Sequence, residues 1–360
     1  MARKERFDAV IVGAGQAGLA VGHFLARQGR SFVILDAADR IGDSWRRRWD
    51  SLRLFTPGRY DGLPGQRYPG PAWSFPGKDE IADFLEDYAQ RFQLPVRTSV
   101  RVDRLAVSDG RYVLSACEDR LHATNVVVAT GAFGRPRLPS FASELDADVR
   151  QLHSDDYRNP TQLRDGPVLV VGAGNSGAEI ALEVSRTHPA WLSGRPTGTE
   201  SPFRVGSVPD RLLTPVAWLV LSRVLTARTS PGRGLRRKAL SMGTPLVRVK
   251  PQDLAEAGVE HVPRTTEVRD GLPVLSDGRV MSVTNVIWCT GYRPDFDWID
   301  LPVLADDGTP LHDRGVVPSQ PGLYFVGQHF LSSLTSALIG GVGRDARHIA
   351  KQIASDPRPA

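Results

Sequence analysis

The sequence contains few residues of several chemically informative types. Only two cysteines, Cys117 and Cys289, occur among its 360 residues, and neither belongs to a C-x-x-C pair. This excludes a disulfide-rich scaffold and a paired-cysteine zinc site, and it favours a reducing, cytoplasmic compartment. The most apolar later stretch, residues 212–222, contains Pro215 and is far shorter than the roughly 20 residues that cross a bilayer. We therefore expect no transmembrane segment and no metal site.

Lysine is scarce as well, with 5 lysines beside 40 arginines, 40 acidic residues and a net charge of +5. The basic residues occur along the whole chain, and no zinc-finger, zipper or RNA-recognition signature accompanies them. We predict no nucleic-acid partner. The hydrophobic share of 41% is ordinary for a globular protein, and the length is enough for about two domains.

Apolar runs alternate with helical patterns along the chain. This alternation predicts an α/β fold with doubly wound parallel sheets. Strands are predicted at residues 7–12, 31–35, 126–129, 167–171, 190–193, 283–288 and 323–326, and helices at 19–27, 79–92, 178–186 and 336–354.

The first strand runs into a glycine motif, G-A-G-Q-A-G. Gly13 suits a tight turn, Gly15 lets a pyrophosphate approach the backbone, and Gly18 lets the following helix pack on the strand. Asp36, at the end of the next strand, can accept hydrogen bonds from ribose hydroxyls. The motif predicts a dinucleotide site at the helix N-terminus, where the helix dipole attracts phosphate.

A second motif, G-A-G-N-S-G, occupies the same position in a later strand–helix pair. Arg195 lies 23 residues after Gly172, the same spacing that separates Asp36 from Gly13. An acid favours a free 2′-hydroxyl and an arginine favours a 2′-phosphate. The first site therefore suits FAD and the second NADPH, with NADH also allowed. An ordinary exposed arginine in an arginine-rich chain stays open as the alternative reading of Arg195.

Two further features repeat or cluster. The segments Ala-Thr-Gly at 129–131 and Cys-Thr-Gly at 289–291 both follow apolar strands, where the backbone could cross between two domains. Glycines 340, 341 and 343 fall early in the C-terminal helix, where each costs roughly 1 kcal/mol relative to alanine. A flat ring at the helix N-terminus and close packing of helix on sheet both explain them.

Together these motifs resemble the class B flavin-dependent monooxygenases, and most of all the short bacterial flavin-containing monooxygenases. The resemblance also includes I-G-D-S-W at 41–45, S-L-R-L-F-T-P at 51–57, L-H-S at 152–154 with Tyr157, C-T-G-Y-R-P at 289–294 and the C-terminal block. It covers nearly the whole chain.

The resemblance implies two Rossmann-like domains in a three-layer, glutathione-reductase-like arrangement. An NAD(P)H domain at 161–290 is inserted in an FAD domain formed by 1–160 and 291–360. NADPH would reduce the flavin, oxygen would add to give a C4a-(hydro)peroxyflavin, and one oxygen atom would pass to a thioether, an amine or a ketone. The implied partners are a small substrate and molecular oxygen, and a homodimer is left open.

The resemblance also assigns residues to the cofactors. Gly172, Gly174, Asn175, Ser176, Gly177 and Arg195 would hold NADPH. Gly13, Gly15, Gly18 and Asp36 would hold FAD, and the residues near its flavin would be Trp45, Phe55, Thr56, Ser336, Ala337, Leu338 and Ile339. Further cofactor-binding residues, not assigned to one cofactor, are Gln16, Ala17, Ala37, Gly42, Ser44, Leu54, Val102, Ala129, Thr130, Gly131, Thr290, Gly291, Gly327 and Gln328. Thr56, His153 and Tyr157 are catalytic candidates. A role for His153 as a hinge between domains is an equal alternative.

The sequence departs from the family pattern at four positions, which are Asp43, Thr56, Ala147 and Val149. They keep open an NAD(P)H-oxidising flavoprotein without a stable peroxyflavin, acting as a redox sensor, a transport regulator or a thiol-independent flavin reductase. A disulfide reductase would need two neighbouring cysteines and ranks below. Residues 212–225, with the basic group at 233–238, could dock on a partner or a surface, although a helix that lines the active-site cleft is the favoured interpretation.

Overall fold

The computed structural model describes residues 4–117, 119–195, 208–230, 232, 234 and 246–355. The basic group predicted at 233–238 lies outside the described residues except for Gly234. The strands are β1 (Lys4–Val12), β2 (Phe32–Leu35), β3 (Val96–Arg97), β4 (Arg104–Ser108), β5 (Arg111–Ala116), β6 (Asp119–Val128), β7 (Arg135–Pro136), β8 (Arg150–His153), β9 (Val168–Val171), β10 (Ala190–Ser193), β11 (Glu260–Val262), β12 (Thr265–Arg269), β13 (Leu272–Leu275), β14 (Asn285–Trp288), β15 (Tyr292–Arg293) and β16 (Leu323–Phe325). The helices are α1 (Gln16–Arg27), α2 (Asp43–Arg46), α3 (Lys78–Arg91), α4 (Asn175–Val184), α5 (Val208–Leu219), α6 (Pro251–Glu256) and α7 (Ile339–Ala354).

The first sheet has seven strands in the order β3-β2-β1-β6-β5-β4, with β16 also paired to β6. Strands β1, β2, β3, β6 and β16 run parallel, and β4 and β5 add an antiparallel edge. Strand β2 is apolar and buried throughout, and the C-terminal parts of β1 (residues 9–12) and β6 (residues 126–128) are also apolar and buried, as expected for parallel strands covered on both faces. Helices α1 and α7 pack on each other and on one face of this sheet.

The second sheet has five parallel strands in the order β11-β10-β9-β14-β8. Helix α4 packs on it through Ala178, Ile180, Ala181 and Val184, which are all buried. The predicted α/β class is confirmed, with one mixed sheet and one parallel sheet where the sequence predicts parallel sheets. Two short antiparallel pairs, β12 with β13 and β7 with β15, lie outside the two sheets.

Strand β16 pairs in the first sheet, although it follows the five strands of the second sheet along the chain. One strand departs from the predicted bounds. Strand β8 falls within 1–160, yet it pairs with β14 of the second sheet through Arg150–Asn285 to His153–Trp288. We propose that the inserted unit begins before Arg150 rather than at 161. The other domain bounds stay a prediction.

The last helix begins later than the sequence predicts. It starts at Ile339 rather than Ser336, because the Ser336 hydroxyl accepts the backbone N–H groups of Ser332 and Ser333 and closes a turn there. Ser336, Ala337 and Leu338 therefore form the approach to α7 and not its first turn.

Candidate functional site: two glycine loops

The first glycine loop connects β1 to α1 in a conformation that requires glycine at two positions. Gly13 has a φ of +108°, and a Cβ there would lie 2.5 Å from the carbonyl oxygen of Ala129. A Cβ on Gly18 would overlap the carbonyl oxygen of Gly13. Gly15 differs, because no described atom lies within 4 Å of the position its Cβ would take. The loop is thus tight against the protein and open only at Gly15, where a ligand would approach the helix N-terminus.

Asp36 is fixed beside this loop by the backbone. Its Oδ2 accepts the N–H of Ala14 at 2.5 Å, and its Oδ1 accepts the N–H of Ala38 at 2.8 Å. Each carboxylate oxygen keeps a second lone pair, so ribose hydroxyls could still donate to it. Ala37 follows as an exposed residue.

The second glycine loop, between β9 and α4, has the same glycine contacts as the first. Gly172 has a φ of +118°, and a Cβ there would overlap the carbonyl oxygen of Cys289, while a Cβ on Gly177 would overlap that of Gly172. Gly174, like Gly15, has open space in the Cβ direction. Arg195 is exposed just beyond the end of β10. A residue that binds the 2′-phosphate of NADPH is expected at this position.

Two residues from later in the chain, Val247 and Arg248, contact the second loop and the helix that follows it. The side-chain oxygen of Asn175 accepts the N–H of Val247 at 3.0 Å. The next residue, Arg248, donates to the carbonyl oxygen of Arg53 at 3.0 Å and lies 3.6 Å from Glu179 on α4. Burial raises the pKa of Glu179 to about 7. Arg248 therefore joins the second unit to the Arg53 loop, a role that its sequence context does not reveal.

The two predicted crossing segments meet each other. Strand β7, just beyond Gly131, pairs with β15, just beyond Gly291. The Thr290 hydroxyl donates to the carbonyl oxygen of Arg137, and the side chain of Gln328 donates to the carbonyl oxygen of Gly131 at 2.9 Å. The structure thus brings together residues predicted from three separate parts of the chain.

The C-terminal block reaches the first loop, although its glycines serve a different purpose from the one a bound ring would give them. Gln16, in the first turn of α1, donates to the carbonyl oxygen of Ala337 at 3.3 Å. Cβ atoms on Gly340 and Gly341 would overlap the carbonyl oxygens of Tyr60 and Thr335. Of the two explanations left open, the flat ring is not needed at these glycines, since the chain's own backbone fills the space. Packing is the cause, but against loops rather than a sheet.

The predicted cofactor residues between positions 42 and 102 differ in how far they are buried. Gly42, with a φ of +88°, presses against the backbone of Ala82 on α3, and Trp45 is partly buried against the first core. Phe55 keeps 37% of its surface exposed. The remaining predicted cofactor residues of this group divide into exposed Ser44 and buried Leu54 and Val102.

A buried carboxyl group lies beside the candidate Thr56, and no motif in the sequence points to it. The Thr56 hydroxyl donates to Oδ1 of Asp61 at 2.6 Å, and Asp61 is only 1% exposed. Its second oxygen, Oδ2, has no hydrogen-bond partner within the described residues. Burial raises the pKa of Asp61 to about 7, and the bond from Thr56 opposes that rise.

His153 has the surroundings of a hinge residue. Its Nδ1 accepts the N–H of Asp155 at 3.1 Å, so Nε2 carries the proton and donates to the carbonyl oxygen of Gly291 at 3.1 Å. Burial lowers the pKa of the ring. Nε2 thus holds the end of β8 to the crossing segment, and Nδ1 closes a local turn after β8. Both nitrogens are engaged, which favours the hinge alternative over proton transfer.

Tyr157 is completely buried in the core of the second unit. Its hydroxyl donates to Glu183 on α4 at 2.9 Å, and burial raises its pKa above the usual range. It packs in the same cluster as Trp49. The location favours a structural role for Tyr157, and its catalytic role stays a prediction.

A charged and aromatic cluster joins the crossing segments to α2, and sequence reasoning does not predict it. Arg48 donates to Asp155 at 2.9 Å and to the Tyr292 hydroxyl at 2.5 Å, and its guanidinium lies 5.1 Å from the ring centre of Phe133. Phe133 itself is 57% exposed. Such a network fixes the relative positions of three loops that leave different strands.

Comparisons with known proteins agree with this architecture. A family model described as pyridine nucleotide-disulphide oxidoreductase matches residues 10–190. The chain belongs to this family. An uncharacterized CzcO-like oxidoreductase of Geobacillus kaustophilus is 39% identical to it, covering 96% of this chain and 98% of that one. The indole-3-pyruvate monooxygenase YUCCA1 of Oryza sativa is 29% identical, covering 96% and 91%.

A solved structure is similar over the same length. The flavin-containing monooxygenase from Stenotrophomonas maltophilia is 28% identical, covers 98% of this chain and 99% of its own, and superposes with a TM-score of 0.79. The predicted likeness to bacterial flavin-containing monooxygenases is confirmed, and the protein is an oxidoreductase.

The disulfide chemistry in the family description does not match the cysteines of this oxidoreductase. Cys117 and Cys289 are both free, one exposed and one partly buried. Burial raises the pKa of Cys289 to about 12, which keeps it as an unreactive thiol at neutral pH.

Within the described ranges, no group of three or more potential ligands could hold a metal ion. None of the described helices has the length and apolar character that a membrane crossing requires.

Proposed function

We propose that the protein is an FAD- and NADPH-dependent monooxygenase. NADPH and a proton supply two electrons and hydrogen, one atom of O₂ passes to the substrate, and the other leaves as water. The substrate is a soft nucleophile such as a thioether or an amine, or a ketone. This proposal takes the reaction class from the flavin-containing monooxygenase and the YUCCA1 monooxygenase that the chain resembles.

The observation that carries the proposal is the pair of matching glycine loops. Of the three glycines in each loop, two are closed against the protein's own backbone and one has open space in its Cβ direction. The residue proposed to contact the ribose follows the next strand, and it is Asp36 for the first loop and Arg195 for the second. A carboxylate repels a 2′-phosphate and a guanidinium binds it, so the first loop fits FAD and the second fits NADPH.

The residues present fit both cofactors. Gly13, Gly15, Gly18 and Asp36 would hold the FAD diphosphate and ribose, and the segments at 129–131, 290–291 and 327–328 converge beside them. When bound, FAD supplies the two-electron chemistry that activates oxygen. The protein's part is to orient both cofactors and exclude water, and Phe55 and Thr56 are the proposed groups at the flavin edge.

The stoichiometry of turnover tests the proposal. Purified FAD-loaded protein is mixed with NADPH, oxygen and a panel of a methyl aryl thioether, a tertiary amine and a cyclic ketone. We expect one oxygenated product for each NADPH consumed with at least one class, and little hydrogen peroxide. Release of one peroxide per NADPH with every substrate would refute oxygenation and support the NAD(P)H-oxidising alternative.

The proposal includes a cytoplasmic location, since both cysteines are unpaired. Fractionation of cells that express the protein from its own gene tests this location. A periplasmic or secreted protein would contradict it.

A further inference from the structure

Helix α5 and the π-helical turn that continues it, Val220–Val224, present an apolar surface to solvent. The five exposed residues that form it, named here the α5 face, are Leu212 (71% exposed), Leu213 (45%), Val216 (58%) and Leu219 (50%) on α5, and Val224 (51%) at the end of the turn. At helical spacing, positions 212, 216 and 219 lie on one side, with Arg223 next to them. Helices of water-soluble proteins normally direct such a side inward, so this orientation requires an explanation.

The opposite side of α5 is firmly attached to the protein. Trp218 stacks on Tyr60 with ring centres 4.7 Å apart, and Ser222 is buried. Beyond the helix, Thr226 forms a strand-like bridge with Ser333, and Ala227 donates to the carbonyl oxygen of Ser332. The α5 face is therefore exposed on a helix that is already docked.

The charge of the surrounding sequence is one-sided. From Val208, where α5 begins, to Lys250 the chain has nine basic residues and one acidic residue, Asp210. The remainder has 36 basic and 39 acidic residues, a net charge of −3, so the positive charge of the whole protein originates in this segment. Among its described members, Arg211, Arg223 and Arg228 are exposed.

We propose that the α5 face docks on the surface of an anionic lipid bilayer. A helix with Leu and Val on one side and arginines beside them is the type that lies in the membrane interface. Each arginine near an anionic surface contributes about a fivefold factor in affinity. A second copy of this chain fits less well, because a symmetric contact would bring together two segments that each carry a net charge of +8. A nucleic acid would bind the arginines but leave the apolar residues without a partner.

Docking in this orientation has a consequence for access. The inner side of α5 lines a cleft of about 440 Å³ through Trp218, with Tyr60 and Gly340 on the other wall. A second cleft of about 290 Å³ is lined by Leu219 and Gly341. Both would open close to the bilayer surface, where apolar substrates accumulate. The docking itself does not depend on the proposed oxygenation.

Flotation with vesicles tests the proposal on FAD-loaded protein. We expect it to float with vesicles rich in phosphatidylglycerol but not with pure phosphatidylcholine, and to dissociate as salt is raised. The double variant Leu212→Glu with Val216→Glu should bind at least about tenfold more weakly. The matched control, Leu311→Glu with Val107→Glu, changes the same residue types at exposed positions elsewhere and should bind like the wild type.

The other outcomes overturn the proposal. These are wild-type protein that stays unbound with both vesicle types, or a control variant that loses as much binding as the α5 variant. A dimer in solution that the α5 variant converts to monomer, without vesicle binding, would assign the face to a second copy. Flavin content and NADPH oxidation in solution should be the same in both variants, so a failure here is distinguishable from a failure of the proposed function.

Discussion

The second glycine loop offers a substitution whose effects on folding and on cofactor binding should separate. Gly174 has φ −80° and ψ −175°, extended backbone that any residue adopts, and an added Cβ would meet no described atom within 4 Å. Gly174→Ala should therefore fold normally. The lower entropy of its unfolded chain should even raise the free energy of unfolding by about 0.4–1 kcal/mol.

The same methyl group should weaken NADPH binding. It would occupy the opening through which a pyrophosphate approaches the N-terminus of α4, so at least one hydrogen bond to a charged group would be lost. Such a bond contributes about 1.5–3 kcal/mol, which corresponds to a rise of about 10- to 150-fold in the KM for NADPH. FAD content should stay at the wild-type level, because the first loop is untouched.

Three matched variants complete the design. Gly177→Ala would overlap the carbonyl oxygen of Gly172, so it should lower the unfolding temperature, at an overpacking cost of about 1–3 kcal/mol. In the first loop, Gly15→Ala should keep the fold and lose FAD, and Gly18→Ala should lose stability. The assays are thermal unfolding, flavin absorbance per protein and steady-state kinetics. An NADPH KM within a factor of two of wild type in Gly174→Ala would refute the assignment of this loop.

Three other predictions concern single side chains. Arg195→Ala should raise the KM for NADPH far more than that for NADH, and equal effects in steady-state kinetics would show that Arg195 does not bind the 2′-phosphate. The folded pKa of Asp61, about 7, lies above its ordinary 3.8, so folding stability falls as pH rises between these values. Near pH 8, Asp61→Asn should then raise the free energy of unfolding by about 2–4 kcal/mol, and with it the unfolding temperature; near pH 4 both should change little. A shift in unfolding temperature of equal size at both pH values would contradict this. Tyr157→Phe should lower stability by about 1 kcal/mol while kcat for NADPH oxidation stays unchanged, and a large loss of kcat at full stability would support a catalytic role for Tyr157.

The glycine loops could be predicted from the sequence because their geometry is local. A strand, a turn with positive φ at its first glycine and a helix are encoded within about a dozen residues, and the clash at Gly18 is with Gly13 of the same loop. The strands are likewise encoded by short stretches of sequence, so they could be predicted, and the class of fold follows from their order. The bounds of α7 were less accurate, since Ser336 closes a turn with residues upstream rather than starting the helix.

Features that depend on contacts between distant segments could not be predicted. The burial of Asp61 depends on how the loop at 54–77 folds over itself, and a single aspartate in sequence gives no sign of it. The glycines at 340 and 341 point to close packing, but only the structure shows that carbonyl oxygens of Tyr60 and Thr335 fill the space. The outward direction of the α5 face is likewise set by Trp218 stacking on Tyr60.

The two glycine loops also share a backbone contact that no motif encodes. The carbonyl oxygen that excludes a side chain at Gly13 belongs to Ala129, and the one that excludes a side chain at Gly172 belongs to Cys289. These are the first residues of the two repeated segments, Ala-Thr-Gly and Cys-Thr-Gly. Each crossing segment thus begins at the atom that shapes a glycine loop, and β7 and β15 then join the two segments to each other. The crossing pair therefore connects the two glycine loops, and His153, bonded to Gly291 in that pair, holds the end of β8 to this connection.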